Sequence, residues 1–402
     1  MRRADPALLV VLGGISAALH VGKMPPALPV LEHALGVTLV QAGFLLSLVQ
    51  LAGMALGLVV GLAADGLGLK RTMLGGLALL SVASLLGAWA ETVHTLMLLR
   101  AVEGLGFLLA SMPAPGLIRR LVQPDRMSRT LGLWGAYMPF ATAVALLAGP
   151  GLIAWAGWQG WWWILAAQSF VVAAWLWRSL PADPSAASRM RAGGWGARMR
   201  QTLASLGPWL VALSFAMYSA QWLALIGFLP TVYASAGLAP GVAGIATALA
   251  AAVNMIGNIA SGRLLQAGAR PQRLLFAGFA AMGLSGVVAF APIMDALHPQ
   301  FATGLRYAAV LVFSMVGGLI PGTLFSLAVR VAPGEGSVST TVGWMQQWSA
   351  VGQFAGPPLV AWVASRSGGW QWSWLVTGSC AVIGLLLAAR VGALLRREEA
   401  AT

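Results

Sequence analysis

The sequence predicts an all-α polytopic membrane protein of twelve transmembrane helices, arranged as two pseudo-symmetric six-helix bundles. Three observations carry that expectation: an apolar composition, twelve spaced apolar runs, and an internal repeat. Of the 402 residues, 59% are hydrophobic and only 9% are charged, against about a quarter charged in an ordinary soluble domain. So few charged side chains cannot cover a water-facing surface, so lipid must be the solvent for much of the chain.

A helix rises about 1.5 Å per residue and needs about 20 apolar residues to cross the hydrocarbon core. Apolar runs between charged or turn-rich breaks give expected spans at 7–31, 39–64, 72–90, 93–118, 130–153, 159–178, 206–234, 240–262, 274–293, 303–329, 338–364 and 370–393. The first follows Met1-Arg2-Arg3-Ala4-Asp5-Pro6 and is read as a retained helix, because no small-residue cleavage site closes a short apolar core. Lys70 and Arg71 separate the second and third runs, and Arg119, Arg120, Arg126 and Arg129 the fourth and fifth. Arg178, Arg189, Arg191, Arg198 and Arg200 lie between the sixth and seventh. Arg263, Arg270 and Arg273 follow the eighth, Arg330 the tenth, and Arg390, Arg396 and Arg397 close the chain.

With the N-terminus inside, all but four of the 24 Lys and Arg residues fall in cytoplasmic segments; the exceptions are Lys23, Arg100, Arg306 and Arg366. Cytoplasmic loops are the basic ones, so the even count and the orientation support each other. A multi-pass protein of a bacterial-type inner (plasma) membrane is expected, with both termini cytoplasmic. The net charge of +13 is therefore topological, and nucleic acid is not an expected partner. Cys380 stands alone, so disulfides and thiolate metal clusters are excluded. A Pro-, Ser-, Gly- and Arg-bearing stretch, 181–205, divides the chain into bundles 1–180 and 206–402. The halves echo each other. Ala148-Gly149-Pro150-Gly151-Leu152-Ile153-Ala154-Trp155, then Gly157-Trp158-Gln159, is matched by Ala355-Gly356-Pro357-Pro358-Leu359-Val360-Ala361-Trp362, then Gly369-Trp370-Gln371. Repeated halves of this kind place binding sites at the midplane between them.

Between the second and third runs stands Gly61-Leu62-Ala63-Ala64-Asp65-Gly66-Leu67-Gly68-Leu69-Lys70-Arg71. It resembles the loop signature of the major facilitator superfamily. Arg100-Ala101-Val102-Glu103-Gly104-Leu105-Gly106 is similar to that family's fourth-helix element, with Glu103 where Gln is usual. Gly149-Pro150 partly resembles its fifth-helix antiporter element but lacks the closing Gly-Gly, and the second-half loop signature keeps only Gly262-Arg263 and Gly268. The stretch from His20 to Pro29 resembles the branch holding cyanate and nitroimidazole permeases. The resemblance implies the major facilitator fold, a monomer, alternating access, and a cavity lined by the first, fourth, seventh and tenth helices. It implies that Gly61, Asp65, Gly68, Lys70 and Arg71 form a conformational gate, Asp65 accepting from a neighbouring helix start. The plainer alternative is a loop carboxylate that serves topology alone.

Ionisable groups inside a span are expensive and usually functional. His20 and Lys23 lie three apart on one helix face. Lys23 suits an anionic substrate, or snorkels to the outer interface; His20 carries a proton, or is a hydrogen-bonded spacer. His20 and Met24 form one possible soft-metal pair, too little to predict a metal. Arg100 and Glu103 are again three apart, either neutralising each other or coupling to protons. Arg306 reads as interfacial. Tyr137, Gln221, Trp222, Asn254, Trp344 and Gln347 are further substrate-binding candidates, each alone more often helix–helix glue.

No phosphate loop, ligand cluster or nucleophile–base pair is present, so neither enzymatic activity nor a cofactor is expected. The chain reads as a secondary transporter moving a small organic anion, with protons as the coupling ion. The alternatives are export of a hydrophobic or cationic compound, and a transporter-like sensor that moves nothing.

Overall fold

The computed structural model describes residues 5–123, 130, 133–183, 195–293, 298–334 and 337–401. Among them every regular element is a helix. That follows from the solvent: lipid offers no partner for backbone N–H and C=O groups, so each span must satisfy its own. Helix α1 runs over Pro6–Leu35, interrupted at Lys23. Its start is fixed by Pro6 at the first position and by Asp5, which accepts from the Ala7 N–H at 2.9 Å. Helix α2 opens at Leu39 on a capping box between Thr38 and Gln41 and continues to Leu67. Helix α3 is Leu69–Gly87, and α4 is Val93–Leu121, capped by Thr92.

Tyr137–Ser179 is a single stretch of 43 residues. At 1.5 Å per residue it would run to about 65 Å, twice the hydrocarbon thickness. Gly157, at φ 74°, breaks it where only glycine turns without strain, giving α5 before the break and α6 after it. The remaining spans are α7 Leu206–Ser235, α8 Pro240–Gln266, α9 Pro271–Phe290, α10 Pro299–Gly317 continued by Leu319–Arg330, α11 Val338–Ser367 and α12 Ser373–Ala401. Ten described segments are long and apolar enough to span a membrane. Counting α5 and α6 separately and adding α11 gives the expected twelve. Each overlaps the apolar run that predicted it, and before Tyr137 the described residues 130 and 133–135 are helical too.

The chain forms two compact units: Met1–Trp195 with Leu229–Ala248, and Gly196–Phe228 with Leu249–Thr402. In the first unit α3 and α4 cross with their backbones in contact at Gly76 and Gly106, and Met73, Leu77, Leu80 and Phe107 fill the core beside the crossing. In the second, Gly352 and Gly356 bring α11 against the α7 backbone at Ala216 and Ala220. Such small-residue contacts replace the hydrophobic drive that lipid removes.

A methyl group on Gly76 would meet the α4 backbone, whereas one on the adjacent Gly75 meets nothing within 4 Å. Gly76→Ala is therefore expected to cost about 1–3 kcal/mol, seen as a lower Tm of the detergent-solubilised protein. Gly75→Ala should leave Tm unchanged or slightly raised.

Candidate functional site

The site begins with a backbone defect. Pro25 and Pro26 have no N–H, so the carbonyls of Val21 and Gly22 lose their helical partners and α1 breaks at Lys23. Arg100 of α4 moves into that gap. Its Nη1 donates to the His20 carbonyl, its Nη2 to the Val21 carbonyl at 3.4 Å, and its Nε to the Leu45 carbonyl of α2 at 3.1 Å. One guanidinium thus ties three helices together through backbone oxygens. The Trp161 indole of α6 adds a bond to the Lys23 carbonyl at 3.1 Å.

Around this brace lie the ionisable side chains. Glu103 takes Arg100 Nη1 on Oε2 at 2.7 Å and Lys23 Nζ on Oε1 at 2.5 Å, and all three side chains are at most 1% exposed. Lys23 also donates to Ser84 Oγ at 2.9 Å and to His20 Nδ1 at 3.5 Å, while its ammonium lies 4.5 Å from the centre of the Trp162 ring. An ammonium has three protons and no lone pair, so these partners account for all of it. His20 Nδ1 must then accept, which puts the ring proton on Nε2, donated to Ser169 Oγ at 2.8 Å. Both ring nitrogens are occupied, leaving none for a metal.

The two pairs separated in the sequence, His20–Lys23 and Arg100–Glu103, are one cluster. Lys23 does not snorkel: it is fully buried inside the first unit. With all three groups ionised, the Lys23–Arg100–Glu103 core holds two cations and one carboxylate. An unmatched positive charge in a bilayer costs several kcal/mol. Ser84, Ser169, Trp161 and Trp162 were not singled out from the sequence, since serine and tryptophan are ordinary in spans. The Pro-Pro pair one turn from two ionisable residues was the available signal.

The other candidates lie apart from this cluster. Tyr137 stacks on Trp134 with ring centres 4.2 Å apart. In the second unit Asn254 donates to Tyr218 Oη at 3.0 Å and to the Ser314 carbonyl at 2.8 Å, and Trp222 donates to Ser314 Oγ at 3.1 Å. Gln221 bonds its own turn at Met217, 3.1 Å, with its Oε1 buried and unpartnered. Trp344 packs between Trp209 and Trp348, and Gln347 is half-buried nearby on the same helix.

Of the loop signature, Gly61 and Asp65 belong to residues 61–67, whose side chains lie outside the described residues. Gly68 takes φ 99°, turning the chain into α3. The first amides of α3 are capped by Asp183, a residue the sequence left in the linker without a role. Lys70 and Arg71 N–H donate to its two carboxylate oxygens at 3.1 and 3.0 Å, and Arg120 joins at 3.3 Å. Lys70 Nζ donates to the Trp177 and Leu180 carbonyls at the end of α6, at 2.8 and 2.6 Å. A carboxylate at a helix start and a cation at a helix end both complement the dipole.

The model of the major facilitator superfamily matches residues 10–352. The chain belongs to that superfamily. It is 34% identical over 154 residues to a puromycin resistance protein of Streptomyces alboniger, covering 38% of this chain and 29% of that protein. It is 28% identical over 149 residues to the uncharacterized transporter YwoD of Bacillus subtilis, covering 37% and 33% respectively. The chain thus spans a third or less of the length of these curated relatives. Among solved structures, the xylose transporter XylE of E. coli superposes with TM-score 0.76 at 13% identity, over 97% of this chain and 99% of that one. A bacterial homolog of the human lysosomal transporter Spinster gives 0.74 at 16%, over 96% and 95%. These structural similarities show the fold.

Removing Glu103 leaves two buried cations without a carboxylate, whereas removing Lys23 leaves a balanced Arg100–Glu103 pair. Glu103→Gln is therefore expected to cost about 3–5 kcal/mol and Lys23→Met distinctly less, read from thermal unfolding in detergent. Asp183→Ala removes a cap and should cost about 1 kcal/mol in the same assay.

Proposed function

We propose that the chain is a proton-coupled secondary transporter of a small organic anion, working by alternating access as a monomer in a bacterial-type inner membrane. Its termini face the cytoplasm, as the basic loops direct. The observation that carries this reading is the surplus positive charge at Lys23, buried where a bilayer penalises it. An anion reaching the cluster and a proton held on it offset each other's charge, so the two are stabilised together and travel together. In this reading Lys23 and Glu103 form the proton-coupling pair and Arg100 is the fixed cation that also holds α1. Residues Gly61 to Arg71 act as the conformational gate, anchored at the α3 end by Asp183. His20, Tyr137, Gln221, Trp222, Asn254, Trp344 and Gln347 are secondary to Lys23 as substrate contacts.

A second reading, export of a hydrophobic or cationic compound, is favoured by the similarity to the puromycin resistance protein. A thermal-stability screen of purified protein separates the two. Small carboxylates and cyanate are compared with lipophilic cations, puromycin included, on the native protein and on Lys23→Gln. Anions are expected to stabilise the native protein, by about 2.7 kcal/mol at a hundredfold excess over Kd, and to fail on the variant. The active anion should then accumulate in proteoliposomes under a pH gradient. Equal stabilisation of both proteins by lipophilic cations, with no response to anions, establishes the export reading instead.

A further inference from the structure

We propose that His20, Ser169, Ser16 and Gln168 form a proton wire that empties and refills Lys23. This inference rests on the proton-coupling reading above and adds a route to it. From Lys23 Nζ the chain continues through His20 Nδ1 at 3.5 Å, from His20 Nε2 to Ser169 Oγ at 2.8 Å, from Ser169 to Ser16 Oγ at 3.0 Å, and from Ser16 to Gln168 Oε1 at 3.1 Å. Lys23, His20, Ser169 and Ser16 are buried, at 0% exposure, and Gln168 is half-buried. The wire starts at the surplus cation and ends at its most accessible member. It also runs one helical turn along α1 from His20 towards the N-terminal end, which places its exit away from the proline break.

The donor directions are consistent along its length. An ammonium can only donate, so Nδ1 accepts and Nε2 donates to Ser169. The Ser169 hydroxyl is then free to donate to Ser16, and Ser16 donates to an amide oxygen that can only accept. Each transfer breaks one bond to hydrogen and makes another. Lys23 gives a proton to Nδ1, the Nε2 proton passes to Ser169, the Ser169 proton to Ser16, and the Ser16 proton to a water molecule that the proposal requires beside Gln168. Lys23 ends as a neutral amine, and the other members keep their proton count. The cluster is left as a balanced Arg100–Glu103 pair. Proton entry beside Gln168 runs the same transfers backwards and refills Lys23. Helix α1 contributes the titratable groups Lys23 and His20, and α4 contributes Arg100 and Glu103. Helices α3 and α6 present hydroxyls, Gln168, indole rings and the Leu165 carbonyl to them.

Lys23 and Lys70 are the only lysines in the sequence, which gives the test a direct probe. The protein is labelled with lysine carrying nitrogen-15 in its side chain and placed in lipid nanodiscs, and the signals are assigned with a Lys70→Arg spectrum. Solvent exchange of the Lys23 ammonium protons is then measured by NMR. Ser169→Ala and His20→Gln are each expected to slow that exchange about 100-fold, the scale of a lost proton-transfer group. Ser81→Ala, which removes a hydroxyl bonded to the Ala166 carbonyl off the wire, should not. An unchanged Lys23 nitrogen shift in Ser169→Ala reports that the Glu103 pair is intact; if His20→Gln fails to fold, Ser16→Ala replaces it. Equal exchange rates in the native protein and in these variants overturn the wire. A separate arm records anion-driven proton uptake into proteoliposomes. Its absence in the native protein removes the coupling reading, whatever the exchange rates; its presence with equal exchange rates removes only the wire.

Discussion

The first unit depends on one guanidinium seated against the backbone beside a proline break. Pro25 and Pro26 break α1 inside a buried, membrane-length apolar stretch, where its carbonyls need protein partners. Arg100 supplies a donor to the orphaned Val21 carbonyl, adds one to His20 and reaches across to Leu45. The repair brings a full charge into lipid, which calls for Glu103, and Glu103 in turn accepts Lys23. The ion cluster is in this sense a consequence of the helix break. The two therefore belong to one device, in which a soft point in a helix and a protonatable group share the same atoms.

The second unit handles its polar groups differently. Asn254, Tyr218, Trp222 and Ser314 form a neutral network whose hydrogen bonds are largely internal, at a place where α8 and α10 are interrupted near Val253 and Gly318. Such a network holds helices together without a charge to balance. Both units thus set an interrupted helix beside a polar bridge, one ionic and one neutral.

Most of the fold was legible because lipid leaves only simple choices. Apolar run length gave the twelve spans. The split of Tyr137–Ser179 was legible at Gly157, repeated at Gly369. The members of the ion cluster were legible one by one, because an ionisable residue in an apolar run stands out. Their meeting was not. Spacing along one helix says which residues share a face but not which neighbouring helix that face meets. Lys23 therefore read as a free cation or a snorkelling one, and its pairing with Glu103 across α1 and α4 appears only in three dimensions. Asp183 was missed for the same reason: its partners at Lys70 and Arg71 are more than a hundred residues away in sequence.

That same aspartate changes where the first bundle can be said to end. The apolar run of α6 stops near residue 179, and a half-length chain cut there would look complete by hydropathy. It would nevertheless lose the carboxylate that seals the first turn of α3, and Lys70 would hold on to a frayed helix end. Residues just past the last span thus belong to the bundle as a clasp between its third and sixth helices. Any separately expressed, split or circularly permuted form of this half has to carry the chain beyond Asp183 to keep it.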